Sequence, residues 1–169
     1  MFKKTNNILL IFLLFVISVS LIAAFIIQYK LGHEPCQLCI YQRIPYIVSI
    51  FFIIELIFFK RNEKTTLLLL SLIFTISGIL AFYHFGIEQG FFTESFVCES
   101  TSFSETLTKD QLLEQLKQNP ISCKDVSFRI LGFSLASINI IFSIVLSAIF
   151  TRLFLNYGKN WQKNLRRNY

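Results

Sequence analysis

The chain has 169 residues, of which 54% are hydrophobic and 20 are Phe, and its formal net charge is +6. This composition is too apolar for a soluble globular domain, so that class is excluded. The positive charge does not indicate nucleic-acid binding, because the basic residues gather at the ends of apolar segments rather than on one polar face.

Four apolar segments have the length of a membrane-spanning helix, which needs about 20 residues. Three of them are evident as continuous runs without Lys, Arg, Asp or Glu. The apolar run of the other one, residues 44–59, corresponds to only about 24 Å of helix, and a helix that begins near residue 40 restores the full length. The sequence predicts an all-α membrane protein with a single domain, a four-helix transmembrane bundle with helices at about 8–27, 40–59, 67–87 and 130–151.

Four helices place both termini on one side, and the flanking charges indicate which side it is. Ten Lys and Arg residues and one acid flank that side, whereas the opposite side has eight acids and six basic residues, all in the loops 28–39 and 88–129 except Arg43. Cytoplasmic loops carry the excess of Lys and Arg, so we expect cytoplasmic termini. The first segment resembles a signal peptide in Lys3 and Lys4, but its apolar run is long and no A-x-A site follows, so we interpret it as a retained helix.

The four cysteines all fall in the two predicted outer loops, Cys36 and Cys39 in the first, Cys98 and Cys123 in the second. An oxidising compartment favours disulfides there, but four cysteines allow three pairings and spacing alone does not choose among them. A C-x-x-C pair closes a very small ring that adds little stability, so it is more typical of thiol exchange or metal binding. Zinc is disfavoured, because Cys98 and Cys123 are far apart in sequence and an oxidising compartment opposes free thiolates.

The stretch PCQLCIYQR, residues 35–43, places the first cysteine pair beside a permanent charge. If Pro35 lies in a first helical turn, both cysteines sit at a helix N-terminus, where the dipole favours the thiolate. Arg43 follows Cys39 by one helical turn and can stabilise a Cys39 thiolate or an anion bound beside it. The alternative for Arg43 is a snorkelling side chain at the membrane edge. Pro45 either ends this local helix or begins the spanning one, and the sequence does not decide.

The long outer loop has a local pattern of its own, LTKDQLLEQLKQ at residues 107–118. Its leucines fall mostly on one helical face, and Thr108 and Gln111 have the spacing of a capping box. The pattern predicts a short amphipathic helix on the outer surface of the bilayer, which would hold the loop near the first cysteine pair.

Taken together, these features resemble the DsbB family of disulfide-generating membrane proteins. The resemblance covers about residues 20–150, and order, spacing and topology agree. It is carried by CQLCIYQR after the first helix, YHFGIEQGFF at the end of the third, two loop cysteines with 24 residues between them, and FRILGFSLASIN at the opening of the fourth helix.

The resemblance implies a protein dithiol:quinone oxidoreductase, embedded in the lipid of a bacterial cytoplasmic (inner) membrane with its cysteine loops facing the periplasm or cell exterior. Its redox-active disulfides would be Cys36–Cys39 and Cys98–Cys123, while an intermediate that joins Cys36 to Cys123 is equally compatible with the spacing. The partner would be a DsbA-like protein of thioredoxin fold. Its thiolate attacks Cys98 and frees Cys123, which attacks Cys36 and releases Cys39 as a thiolate against a bound quinone.

The resemblance also implies that Arg43 and His84 lie beside the quinone, which is ubiquinone or menaquinone. Arg43 would stabilise negative charge on a quinone oxygen or on the thiolate. His84 could donate a hydrogen bond to the quinone, although a lone histidine at the interface more often satisfies a backbone group. Glu88 and Gln89 are further members of the same expected network.

Two alternatives compete with this interpretation. Relatives of vitamin K epoxide reductase are also small quinone-linked bundles with C-x-x-C, but they carry that motif on a late helix, whereas here it follows the first. A non-enzymatic four-helix membrane scaffold with two structural disulfides predicts cysteines that resist exchange. That scaffold leaves Arg43 and the leucine between the paired cysteines unexplained.

Overall fold

Four helical spans form the body of the protein in the computed structural model, which describes residues 7–59, 62–93, 98, 123–124, 129–130 and 132–167. Within these residues, the segments long and apolar enough to cross a membrane are Asn7–Tyr29, Gln37–Phe58, Glu63–Glu88 and Leu135–Tyr157. The predicted all-α four-helix membrane bundle is confirmed. The predicted amphipathic helix at residues 107–118 lies outside the described residues.

The helices extend beyond the apolar runs at several ends. The elements in chain order are α1 (Asn7–Tyr29), α2 (Gln37–Tyr41), α3 (Ile44–Phe58), α4 (Glu63–Glu88), β1 (Arg129–Ile130), β2 (Phe133–Ser134) and α5 (Leu135–Arg167). Helix α4, for example, begins four residues before the predicted segment, with Glu63 in its first turn. Hydropathy marks only the stretch that suits lipid, while backbone hydrogen bonding continues the helix into polar sequence.

The second span is interrupted between α2 and α3, which answers the question that Pro45 left open in the sequence. Proline has no backbone N–H to donate to the carbonyl four residues earlier, and its ring clashes with that carbonyl, so α2 ends at Tyr41. The chain makes a tight turn at Gln42 and Arg43, in which the Arg43 N–H donates to the Ile40 carbonyl at 3.0 Å. Helix α3 then begins with Pro45 in its first turn.

The fourth helix begins at Leu135, five residues later than predicted, because a small hairpin precedes it. Strands β1 and β2 pair antiparallel, with Ile130 opposite Phe133. Between them Gly132 has a φ of +87°, a conformation that L side chains rarely adopt. Ser134 then accepts a hydrogen bond from the Ser137 N–H at 3.2 Å, which is the N-cap arrangement that starts a helix.

Helices α4 and α5 are joined by a ladder of hydroxyl pairs. The pairs are Ser71 with Thr151 at 2.7 Å, Thr75 with Ser147 at 2.8 Å and Ser77 with Ser143 at 3.2 Å. Between them the fully buried rings of Phe74 and Phe150 stack with centroids 5.6 Å apart. Small residues let transmembrane helices approach closely, and their hydroxyl groups form hydrogen bonds with each other. This interface therefore holds α4 and α5 in a fixed register.

Candidate redox site

Cys36 and Cys39 lie at the start of the second span, where α2 begins. Cys36 is the N-cap residue of α2, and its sulfur accepts a hydrogen bond from the Cys39 N–H at 3.3 Å. The sequence analysis considered Pro35 in the first helical turn. In the structure Pro35 lies one position before the N-cap residue. The two sulfur atoms are 2.7 Å apart and are not bonded to each other. The pair therefore needs only a small movement to form a disulfide.

His84, on the last turns of α4, reaches the same cysteine from the other side. Its Nε2 atom lies 3.5 Å from the Cys36 sulfur, and its side chain is buried. The ring also interacts with the backbone of Cys123. The histidine that sequence resemblance placed beside a quinone is thus in direct contact with the dithiol.

These contacts favour the charged form of Cys36. The hydrogen bond with the Cys39 thiol, followed by the hydrogen bonds of His84 and of the Cys39 N–H, lowers the pKa of Cys36 from 9.0 to about 5, although burial opposes the shift. The sequence had assigned the stabilised thiolate to Cys39 through Arg43. In the dithiol the hydrogen bonds converge on Cys36 instead.

The second cysteine pair lies against the first. Cys98 and Cys123 are bonded to each other. Both are buried in one apolar cluster with Cys36, Leu38 and Ile87, and Cys39 packs against that cluster. The structure brings all four cysteines together, as the sequence resemblance implied, and the contacts of the two pairs fit redox-active disulfides.

A chain of amide and hydroxyl groups continues from His84 into the bundle. The side-chain amide nitrogen of Gln42 lies 3.1 Å from Nδ1 of His84, and its oxygen accepts from the Asn139 amide at 2.9 Å. The Asn139 oxygen in turn accepts from the hydroxyl groups of Tyr46 and, at 3.4 Å, Ser143. The sequence analysis missed Gln42 and Asn139. The signal for Asn139 was a strongly polar amide inside an apolar spanning segment, which is rarely without a role.

Glu88 adds a carboxylate on the side of His84 nearest the dithiol. Its Oε1 atom is 3.7 Å from Nε2 of His84, and its side chain is 5% exposed. Its Oε2 atom is buried with no hydrogen-bond partner among the described residues. A buried oxygen left in this way is a ready acceptor for a proton released at the dithiol.

Arg43 is held in place by two groups of α1. Its guanidinium donates to the Gln28 side-chain oxygen at 2.5 Å and lies over the Phe25 ring, 5.1 Å from its centroid. A hydrogen bond and a cation–π contact together fix the direction of this charge.

A cavity of about 340 Å³ opens beside Cys39, between α1, α3 and α5. Its polar wall contains Cys39, Arg43, His84, Gln42 and Asn139, and the rest of the wall is largely apolar. This volume suits a small planar ligand with polar groups at one end.

The side chains around Cys36 could also be the ligands of a metal ion. Three possible ligand atoms lie within 4.8 Å of one another: the sulfur of Cys36, the sulfur of Cys39 and a ring nitrogen of His84. This spacing is close enough for three ligands of a soft cation. The Gln42 amide nitrogen, however, faces Nδ1, so the proton of the neutral ring is on Nε2, the atom nearest Cys36. The ring thus presents a donor to the thiolate in place of a lone pair to a metal.

The comparisons with known proteins agree with this geometry. A model of the family described as disulfide bond formation protein DsbB matches residues 6–153. The chain belongs to the DsbB family. It is also 31% identical over 138 residues to uncharacterized protein RP370 of Rickettsia prowazekii (strain Madrid E), a match that covers 79% of this chain and 80% of that protein. Membership of the DsbB family makes this chain a multi-pass membrane protein of disulfide bond formation.

Proposed function

We propose that this DsbB-family chain oxidises a DsbA-like protein of thioredoxin fold and passes the electrons to a membrane quinone, as a protein dithiol:quinone oxidoreductase. One observation carries the proposal: the Cys36–Cys39 pair has a second cysteine pair on one side and a cavity on the other. Cys36 shares the buried cluster of Cys98 and Cys123, whereas Cys39 lines the cavity. The pair is therefore positioned to receive electrons from one side and deliver them to the other.

The thiol exchanges follow from this arrangement. A thiolate of the reduced partner attacks Cys98, which forms a mixed disulfide and releases Cys123, and the second partner thiol then displaces Cys98 as the partner disulfide forms. Cys123 attacks Cys36 of the Cys36–Cys39 disulfide, and Cys39 leaves as a thiolate. Cys98 then attacks Cys123, which restores the Cys98–Cys123 disulfide and releases Cys36, so that two electrons reside on the Cys36–Cys39 dithiol.

The environment of Cys36 favours electron transfer in this direction. Its hydrogen bonds stabilise the thiolate and therefore the dithiol form, which makes the Cys36–Cys39 disulfide a stronger oxidant toward Cys98 and Cys123. An inert structural disulfide has no need of a lowered thiol pKa or of a buried histidine beside the sulfur. The contacts thus support an oxidase over the alternative of a non-enzymatic scaffold with two structural disulfides.

The cavity fits the head group of a quinone. Its volume accommodates one ring, its apolar wall suits an isoprenoid chain, and Arg43 supplies a fixed positive charge at the polar end. A bound quinone supplies a two-electron, two-proton acceptor, which closes the balance as the dithiol becomes a disulfide. Arg43 would hold a ring oxygen of the quinone and favour negative charge there, and the apolar wall would exclude water.

The two protons of the dithiol also need acceptors. His84 holds a proton at Nε2 next to Cys36, and Glu88 lies beside the same nitrogen with one carboxylate oxygen that has no partner in the described part of the chain. We assign to these two side chains a proton relay, in which Nε2 of His84 passes its proton to the Glu88 carboxylate and then takes one from the Cys36 sulfur. The charge distribution of the sequence favours an orientation with the site at the periplasmic or outer face, where a secreted thiol oxidase is reached.

The test is quinone reduction by the detergent-purified chain, followed by ultraviolet absorbance after a reduced thioredoxin-fold dithiol is added. We expect turnover with ubiquinone or menaquinone, no turnover with Cys39→Ser, and at least tenfold weaker turnover with Arg43→Ala. The matched control is Lys64→Ala, which removes a cation near the opposite end of the bundle, over the Phe154 ring. No turnover with either quinone, while all four wild-type cysteines stay oxidised, would support the scaffold instead.

A further inference from the structure

The fourth span takes part in the redox site through one residue, Asn139. It lies 97 positions from Gln42 in the chain, and yet its amide nitrogen donates to the Gln42 oxygen at 2.9 Å. No residue of α5 carries an ionisable group in this part of the bundle, and no cysteine chemistry requires an asparagine here. The amide therefore calls for an explanation other than electron transfer.

The direction of the hydrogen bonds supplies that explanation. The Asn139 oxygen accepts from Tyr46 and Ser143, so its amide nitrogen must face Gln42. The Gln42 oxygen accepts from that nitrogen, so the Gln42 amide nitrogen must face His84, where it lies 3.1 Å from Nδ1. An amide nitrogen donates and does not accept. Nδ1 of His84 is thereby held without a proton, and in the neutral ring the proton is on Nε2, 3.5 Å from the Cys36 sulfur.

We propose that Asn139 is a positioning residue, which acts through Gln42 to fix the tautomer of His84 so that Nε2–H points at the Cys36 sulfur. The inference rests on the proposed redox role of the cysteine pair. It extends that role to a helix that carries no cysteine and explains why this span has a half-buried amide at this position. In the other tautomer the Nε2 lone pair would face the thiolate and repel it.

The ionisable groups around Cys36 come from several elements. Within the described residues they are Cys39 on α2, His84 on α4 with Glu88 beside its Nε2 atom, and Arg43, His33 and Glu34 on the wall of the adjoining cavity. None of them is altered by a change at Asn139. A shift in the titration of Cys36 after such a change therefore reports on the amide chain.

The experiment titrates the Cys36 thiolate by its ultraviolet absorbance in the full-length reduced protein, with neither quinone nor partner present. Asn139→Leu is expected to raise the midpoint by about one to two pH units, since a hydrogen bond to a charged group has about that effect. Gln42→Met should give the same shift, and the double variant no more than either single one. Asn139→Gln, which keeps donor and acceptor, should restore most of the wild-type midpoint.

A second measurement follows the tautomer of His84 itself. Nitrogen chemical shifts of the two histidine rings, assigned with His84→Phe, are expected to change from Nε2–H to a mixture of tautomers in Asn139→Leu. Ser71→Ala is the control, because it removes a hydrogen bond between the same two helices away from the site, and it should leave both readings unchanged.

Unchanged midpoint and tautomer in both Asn139→Leu and Gln42→Met, or shifts that add in the double variant, would overturn the positioning role. Because these readings need no turnover, they are separate from the proposed function. If the variants show these shifts but the wild-type protein reduces no quinone, the positioning role of Asn139 stands and the proposed oxidase function is contradicted.

Discussion

Nε2 of His84 lies 3.5 Å from the sulfur of Cys36, although the two residues are 48 positions apart and belong to different spans. The contact connects the third helix of the bundle to the C-x-x-C motif of the second. It places a proton donor beside the sulfur whose hydrogen bonds already favour a thiolate. The redox properties of the dithiol therefore depend on the packing of α4 as well as on the motif.

Removal of this imidazole should make the Cys36–Cys39 disulfide a weaker oxidant. His84→Phe takes away a hydrogen bond to the thiolate of about 1.5–3 kcal/mol. This stabilises the dithiol less and lowers the reduction potential by about 30–60 mV. Equilibration with redox buffers followed by alkylation and mass measurement gives the potential. Lys64→Ala, which removes a cation near the opposite end of the bundle, should leave it unchanged, and an unchanged potential in His84→Phe would contradict the assignment.

The stability of the dithiol form should depend on pH in a window set by Cys36. Its pKa is lowered from 9.0 to about 5 in the folded protein, so the thiolate contributes stability that is fully present above pH 9. This contribution declines as pH falls and is lost below pH 5. Thermal unfolding of the reduced protein in detergent should show the decline, whereas the Cys36→Ser variant should not. Equal pH profiles for the two proteins would mean that Cys36 is an ordinary thiol.

The pairing of Gln28 with Arg43 should govern quinone affinity and leave the thiols unaffected. Gln28→Leu removes the acceptor that fixes the guanidinium, and we expect about tenfold weaker quinone binding, because a hydrogen bond to a charged group exceeds about 1.4 kcal/mol. Arg43→Lys keeps the charge but loses the planar fork, and its binding should be intermediate between wild type and Arg43→Ala. Fluorescence quenching or equilibrium dialysis with a short-chain quinone measures both. A Cys36 titration altered by Gln28→Leu would argue against this division of roles.

The sequence predicted much of this site because its main elements are local. The CQLC motif and the length of the spans depend on neighbouring residues, whereas the sequence left open whether Pro45 ends the local helix or begins the spanning one. The convergence of hydrogen bonds on Cys36 could not be foreseen, since it depends on which residue adopts the extended N-cap conformation, here Cys36 with φ −66° and ψ 167°. Asn139 reaches the site across 97 positions, and no spacing rule encodes such a contact. The start of α5 was also misplaced, because Ile130 is as apolar as the helix that follows the hairpin.

The interface of α4 with α5 should provide most of the packing that holds His84 in place. Phe150→Ala removes a fully buried ring from its stack on Phe74, and we expect a destabilisation on the order of 3 kcal/mol. Phe12→Ala is the control, since that ring is 60% exposed on α1 and faces lipid in the folded and the unfolded membrane-inserted states alike. Unfolding in mixed detergent micelles compares the two. Similar losses in both variants would contradict the proposed core.

In the proposed path, electrons pass between the two cysteine pairs through a bond between Cys36 and Cys123. The most direct measurement uses the Cys39→Ala, Cys98→Ala double variant, in which only these two thiols remain, and follows their disulfide by mass spectrometry after mild oxidation. The matched variant, Cys36→Ala with Cys98→Ala, leaves Cys39 and Cys123. We predict rapid, nearly complete bonding in the first protein and at least tenfold slower bonding in the second. Equal rates, or two thiols that stay free in the first protein, would contradict the path.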